Sequence, residues 1–324
     1  VKVARVPLKQ AIGHILLHNQ AGPDGRKLLK KGQLVTEQYL PTLESLGREQ
    51  IDVAILADDD IAENEAARRL GEILAASGIS ASTATTGRVN LISDSPGLFK
   101  VKRDELLTFN DRNGITLATL PDNTVVPSKK IVSTIKIIPY AVSETELQAA
   151  EARARRASPL LAVKPFVLRR AALITTGSQA ARDKVIEGFT PALRDRLSGY
   201  DTELIEGPYV AEDETEISEA LQWALANDAE MILIAGETSI MDVDDITPRA
   251  IKAVGGKIVH HGVPVEPGNL LLLAYRNEVP IVGAPGCARS KNYNVVDMVL
   301  PRLAAGERLS RRDLIELGHG GLLK

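Results

Sequence analysis

Apolar residues in the second half of the chain come in short unbroken runs rather than in strict alternation. Met231-Ile232-Leu233-Ile234-Ala235, Leu270-Leu271-Leu272-Leu273-Ala274 and Val279-Pro280-Ile281-Val282-Gly283 are each bounded by turn residues. That is the pattern of strands buried on both faces. Ala171-Ala172-Leu173-Ile174-Thr175 and a strand over 202–205 come earlier, the second ending in a loop expected at Glu206-Gly207-Pro208. Between the strands the spacing turns helical. Thr190-Pro191 restarts a helix that faces Leu193 and Leu197 inward, and Asp213 with Glu216 caps one that buries Ile217, Leu221 and Leu225 near Trp223. A third opens at Thr247-Pro248 and stops at Gly255-Gly256, and a fourth carries Val295, Val296, Val299 and Leu300. Strands and helices alternating at this length predict right-handed crossovers and a mainly parallel sheet.

The first half reads mainly as β. Thr36 can cap a helix with Leu40, Leu43 and Leu46 on one face and Gly47 as its stop, and Asp60-Ile61-Ala62-Glu63 reads as a capping box for a helix presenting Ala66, Leu70, Ile73 and Leu74. Residues 79–140 then break into strands at Gly97, Gly114 and Pro121-Asp122-Asn123, with Ile131, Ile135 and Ile137 expected on one strand face. Ser143-Glu144-Thr145-Glu146 opens a further helix, which runs to Ala157 before Ser158-Pro159 and Lys164-Pro165 interrupt regular structure. The expected divisions are a β-rich domain over 1–142, a helical linker over 143–165, an α/β domain over 166–304 and a tail over 305–324 with a capping box at Ser310-Arg311-Arg312-Asp313. The fold class is therefore α/β, a C-terminal doubly wound and mainly parallel sheet preceded by a smaller β-rich α+β domain.

Composition removes several classes of function. At 324 residues two domains are the prior, and a single cysteine excludes an internal disulfide framework or a cysteine cluster for metal. A net charge of -3 with 3% aromatic residues argues against nucleic acid as a partner. No run reaches the roughly 20 apolar residues of a membrane span, and the opening Val1-Lys2-Val3-Ala4-Arg5-Val6-Pro7 lacks the apolar stretch of a secretory signal, so a cytoplasmic protein without a membrane partner is expected. An anionic small ligand stays allowed, because a few backbone amides and arginines can hold phosphate whatever the overall charge.

The candidate chemistry lies where the buried runs end. Gly236, Thr238 and Ser239 offer a flexible turn with hydroxyl donors, Thr176, Gly177 and Ser178 offer another, and Pro267, Gly268 and Asn269 form a third. Pro285 and Gly286, followed by Cys287, Arg289 and Ser290 ahead of a helix, suit a phosphate clamp made of backbone amides and the arginine, or equally a tight turn capped by Ser290. Asp242, Asp244 and Asp245 put three carboxylates in four positions. They suit a hard cation such as Mg²⁺, or simply favour the positive end of the helix that follows. Cys287 has no adjacent histidine to activate it, and His260 and His261 point to opposite faces of a strand, which speaks against a two-histidine metal site.

Taken in order, a glycine and hydroxyl loop leading to Asp245-Ile246-Thr247-Pro248, then Gly255-Gly256, then Pro267-Gly268-Asn269, then Pro285-Gly286 resembles the molybdopterin-binding domain of molybdopterin adenylyltransferases and molybdenum insertases. The version here is similar to the insertase-like segment found alone or ahead of a cytidylyltransferase domain. The similarity extends forward through Lys30-Lys31-Gly32, Thr86-Gly87-Arg88-Val89-Asn90-Leu91 and Val132-Ser133-Thr134-Ile135-Lys136-Ile137-Ile138-Pro139. The resemblance implies the molybdopterin-binding fold, and molybdopterin or its nucleotide form as ligand. It also implies Mg²⁺ held at Asp245 and Asp242 with Asp245 catalytic, transferase chemistry with ATP and molybdate, a cytidylyltransferase partner and self-association into a homo-oligomer. Departures from the pattern, Ala235-Gly236-Glu237 in place of paired glycines, Ser178-Gln179 in place of an acidic pair and Glu266 beside the Pro-Gly turn, favour the alternative of a non-catalytic molybdopterin carrier.

Overall fold

A computed structural model describes residues 2–323, and the chain divides into two compact units, Val1–Lys164 and Pro165–Lys324. Among the described residues no helix is long and apolar enough to cross a membrane.

The first unit is built from small antiparallel sheets and three main helices. Its largest sheet runs in the order Ile115–Thr119, Ile131–Ile137, Arg88–Ser93, Ile79–Ala81, and a second pairs Gly97–Val101 with Thr124–Val126 and Leu161–Lys164. Helices Glu63–Leu74 and Glu144–Arg156 close over this core, in which Leu70, Leu91, Phe99, Phe109, Ile135 and Leu147 are almost wholly buried. Each such side chain contributes about 1.5–3 kcal/mol of transfer free energy.

Three expectations need correction here. Asp60–Ala62 is a short strand paired with Ala141–Ser143, so no capping box forms there and the helix starts at Glu63 behind Ala62. Ile131 is 47% exposed while Val132, Ile135 and Ile137 are buried, because the register shifts between Ile131 and Ser133 and the bulge breaks the two-residue alternation. Helix Glu144–Arg156, capped by Ser143 as the sequence suggests, buries Leu147, Ala150 and Ala154 in the core of the first unit, and Leu161–Lys164 completes one of its sheets. The stretch expected as a linker is thus part of that unit.

The second unit is a six-stranded sheet with helices on both faces. Its elements in chain order are β1 (Arg170–Thr176), α1 (Arg182–Ser198), β2 (Glu203–Val210), α2 (Glu214–Ala226), β3 (Met231–Gly236), α3 (Ile246–Ala253), β4 (Lys257–His261), β5 (Leu272–Arg276), β6 (Val279–Gly283), α4 (Val295–Ala304) and α5 (Arg311–Ile315). The spatial order is β2-β1-β3-β6-β5-β4, parallel from β2 to β6 and antiparallel from β6 to β4. Alternate residues of the buried runs serve opposite faces. Ala172, Ile174, Ile232 and Ile234 pack on Ile217, Leu221 and Ile251 of α2 and α3, while Val185, Phe189, Leu193 and Leu197 of α1 are buried on the other side.

Glu206-Gly207-Pro208 is not the end of β2 but lies within it. The register with β1 slips there, Leu173 facing Glu206 and Thr175 facing Tyr209, so the bulge absorbs the proline on an edge strand where a missing amide costs no ladder bond. Gly207 is required at that point, since a Cβ would stand 2.8 Å from the Leu173 carbonyl oxygen and 2.9 Å from the Trp223 ring.

Candidate functional site

The sheet topology decides which loops meet. β1, β2, β3 and β6 are parallel and all leave the sheet at one edge. β5 runs against them, and Leu272 at its start pairs with both Gly283 and His261, so the segment ahead of β5 opens at that same edge. Thr176 to Ser178, Gly236 to Ser239, Pro267 to Asn269 and Pro285 to Ser290 are therefore gathered along one side of one sheet.

At the exits of β1 and β3 the loops are locked together. Thr176 is 2% exposed and faces Gly236 across the ladder, and the Glu237 amide donates to the Thr176 carbonyl at 2.8 Å. Gly177, at φ 153°, has no room for a side chain: a Cβ would meet the Tyr209 hydroxyl at 2.6 Å and the Glu237 Cβ at 2.8 Å. Ser178 donates to Glu237 Oε2 from both its amide and its hydroxyl, at 2.8 Å each, and Tyr209 donates to the Ser178 carbonyl at 2.6 Å. Thr238 is held in the same manner by Glu212, which follows β2, its amide at 3.0 Å and its hydroxyl at 2.9 Å from the two carboxylate oxygens. Two glutamates thus fill donor pairs of the kind that would otherwise face an anion. The Ser178 amide, and then its hydroxyl, hold the Glu237 carboxyl below the ordinary carboxylate range.

A cavity of about 190 Å³ opens beside the β3 exit, lined by Glu212, Thr238, Ser239, Met241, Asp245 and Thr247 among others. Asp245 precedes α3 but does not cap it with its side chain. The carboxylate reaches backward, Oδ2 accepting the amides of Met241 at 2.7 Å and Asp242 at 3.0 Å, and those two bonds, in that order, depress its pKa. Asp242 accepts the Asp244 amide at 2.8 Å, and Asp244 is paired with Lys252 at 3.2 Å. The three aspartates therefore do not converge. Among the described residues no group of three or more His, Cys, Asp or Glu side chains is placed to hold a metal alone. The acidic pair on the cavity is Asp245 with Glu212, a residue the sequence pattern gave no reason to single out beyond its place after a strand.

The Pro267-Gly268-Asn269 turn lies against the start of α4. The Val295 amide donates to the Pro267 carbonyl at 3.3 Å, and a Cβ on Gly268, at φ 130°, would stand 2.2 Å from Val295 Cγ1. Asn269 lines a separate cavity of about 280 Å³ with Pro264, Glu266 and Leu322. Thr238, Ser239 and Asp245 thus line one cavity and Asn269 another.

Pro285 and Gly286 start a short 3-10 turn, Gly286–Arg289, rather than α4 itself, which begins at Val295 behind an Asn294 capping box with Asp297. The amides at the start of α4 are taken by Pro267, the Asn294 side chain and the Asn294 carbonyl, so that helix start offers no phosphate clamp. Ser290 does not cap α4 either; its hydroxyl accepts the Asn292 amide at 3.1 Å. The Arg289 guanidinium lies 4.6 Å from the centre of the Phe189 ring, exposed on its outer side. Burial pushes the Cys287 thiol up, away from the reactive thiolate.

Arg196 organises this whole segment. Its side chain, 7% exposed, donates to Asp297 at 2.9 and 3.1 Å and to the carbonyls of Ala288, Ser290 and Asn292 at 3.2, 2.8 and 3.1 Å. One arginine of α1 thereby pins the loop after β6 and the start of α4.

Residues 172–305 match the family described as "Probable molybdopterin binding domain", and residues 5–55 match a domain of unknown function. No curated protein matches the chain. Similar solved structures include the molybdopterin biosynthesis enzyme MoaB of Thermus thermophilus, 20% identical with a TM-score of 0.32 over 43% of this chain and 98% of that one. The molybdopterin biosynthesis MoeA protein of Pyrococcus horikoshii is 13% identical with a TM-score of 0.35, over 97% of this chain and 75% of that one. The tungsten cofactor synthesizing protein MoaB of Pyrococcus furiosus is 15% identical with a TM-score of 0.28, over 42% and 91%.

Proposed function

We propose that this chain, whose residues 172–305 carry a molybdopterin-binding domain, holds molybdopterin at the carboxyl edge of the β1 to β6 sheet and acts in molybdenum cofactor biosynthesis. The observation that carries the placement is topological. The reversal of β5 brings the Pro-Gly-Asn turn to the edge where three parallel strands already deliver their glycine and hydroxyl loops.

The chemistry of the cavity lining at the β3 exit would suit Mg²⁺ completed by a ligand's oxygens. Glu212 and Asp245 would offer carboxylate oxygens and Ser239 and Thr247 hydroxyls, donors of the hard-oxygen type Mg²⁺ takes beside a bound phosphate and water. When bound there, the ion would neutralise charge on a phosphate of the pterin or its nucleotide. Asp245 keeps its carboxylate ionised through its two amide bonds, and the Ser239 side chain on the same cavity wall would orient the ligand. Chemistry on such a ligand, whether transfer of a nucleotidyl group or coupling of molybdate, would rest on positioning and electrostatics more than on a nucleophile of the protein.

A second reading has its own observation. Glu237 and Glu212 occupy the Ser178 and Thr238 donors, which weakens the hold on a nucleotide and favours a carrier that binds the free pterin. Anaerobic titration of the full chain with molybdopterin tests the shared conclusion, and absence of binding overturns it. Adding Mg²⁺ with ATP, and Mg²⁺ with molybdate, separates the readings: turnover supports the transferase, and binding indifferent to all three supports the carrier.

A further inference from the structure

Three segments of the first unit take no part in the site above: Lys30-Lys31-Gly32, Thr86-Gly87-Arg88 and the end of the strand Ile131–Ile137 with Ile138 and Pro139. They are far apart in sequence, yet each contributes to one cavity of about 440 Å³ whose walls include Lys30, Lys31, Glu63, Thr86, Lys136 and Tyr140. Its volume falls in the range of small-molecule sites and far exceeds what a bare tetrahedral ion fills.

The floor of the cavity is built around Glu63, only 6% exposed at the first turn of its helix. Lys136 Nζ stands 3.3 Å from Glu63 Oε2 and donates to the Thr86 carbonyl at 2.7 Å. Two glycines in the left-handed region give this pair its space. A Cβ on Gly87 would stand 2.5 Å from Glu63 Oε2 and 2.8 Å from Lys136 Nζ, and one on Gly32 would stand 3.0 Å from Glu63 Oε1. Further bonds fix the frame: the Gly87 amide to Asn64 Oδ1 at 2.8 Å, the Glu63 amide to the Tyr140 carbonyl at 2.9 Å and the Lys31 amide to Asn19 Oδ1 at 2.9 Å.

Charge and shape give the ligand class. Among the lining residues, three lysines, Lys30, Lys31 and Lys136, against the single carboxylate of Glu63 leave a formal surplus of two positive charges. Lys31 Nζ lies 5.5 Å from the centre of the Tyr140 ring, and Ile138 beside it is 61% exposed, so one wall is aromatic and apolar. We propose that this cavity binds a phosphorylated small molecule that carries a ring, its phosphate dianion against Lys30, Lys31 and Lys136 and its ring against Tyr140 and Ile138. The charge-assisted bonds fix the phosphate, and the ring wall sets the class above free phosphate. This cavity is lined by residues of the first unit alone and the proposal stands whether or not the reading of the second unit holds.

Calorimetry on the full chain with AMP, CMP, GMP and UMP, with inorganic phosphate and with adenosine, tests the proposal, and amide hydrogen exchange locates the binding. At least one monophosphate is expected to bind about tenfold or more tighter than phosphate or adenosine, with protection over 30–33 and 86–92. Lys31→Gln, an exposed side chain whose loss spares the fold, should weaken binding about tenfold, and so should Lys136→Gln, while Glu63→Gln, which removes the opposing charge, should strengthen it. No binding of any monophosphate, equal binding of inorganic phosphate or adenosine, protection confined to the second unit, or an affinity unmoved by Lys31→Gln would each overturn it.

Discussion

Ser178 gives both its amide and its hydroxyl to Glu237, so an acid at the exit of one strand fills the donors at the exit of its neighbour. Ordinary peptide carboxylates titrate near 4.3, and the Ser178 bonds lower that of Glu237. A depressed value means that the clasp's contribution is present above the unfolded pKa and lost as pH falls through the folded one. Glu237→Gln is expected to release Ser178 and tighten binding of a phosphate-bearing pterin several-fold, read by titration at neutral pH. Weaker binding instead would show that the carboxylate itself contacts the ligand.

Asp245 answers to a different substitution. Asparagine keeps an oxygen able to accept the Met241 and Asp242 amides, so Asp245→Asn should cost no more than about 1 kcal/mol in chemical denaturation. If Asp245 holds Mg²⁺, the same variant loses the Mg²⁺ dependence of ligand affinity or turnover. A folded variant with that dependence intact removes the metal role.

Arg196→Ala should be strongly damaging to the second unit. It strips three loop carbonyls and Asp297 of a buried guanidinium, a loss of about 3–5 kcal/mol in urea unfolding, with the segment 286–294 exposed to protease first. Arg196→Lys should recover little, since an ammonium cannot span acceptors set for a planar fork. Wild-type stability in either variant would mean the loop is held by Asn294 and Asp297 alone.

Cys287 should behave as a packing residue. With its thiol pushed up by burial, alkylation by iodoacetamide should be slower at neutral pH than that of an exposed cysteine and should accelerate only as the solution becomes alkaline, and Cys287→Ser should leave ligand affinity within a few-fold. Arg289→Ala removes the stack on Phe189 and is expected to cost about 0.5–1 kcal/mol of stability. Any larger effect on ligand affinity would place its guanidinium at the pterin.

Strands buried on both faces are the easiest elements to read, and β1, β3, β5 and β6 lie close to where their apolar runs place them. Gly207-Pro208 misleads because a local pattern cannot say that β2 lies at an edge, where proline is tolerated. Ile131 misleads because a bulge is a property of two strands. Arg196 leaves no mark in the sequence since three of its partners are backbone carbonyls more than 90 positions away, and any residue type could supply them. The glycine and hydroxyl loops were legible because turns that need φ above zero or close approach restrict residue type, as at Gly177 and Gly268. Glu212 was not, because its role depends on β2 running as far as Val210.

The proline in β2 also bears on how these molecules meet one another. An open sheet invites a foreign strand to continue its ladder, and natural proteins blunt such margins with proline and bulges. β2 carries both, at Pro208 and at the slip beside it, and the opposite margin, β4, is itself irregular between Ile258 and His260. Neither border offers a long straight template. Copies that associate through the second unit would therefore do so through its helix faces or loops rather than by continuing its sheet.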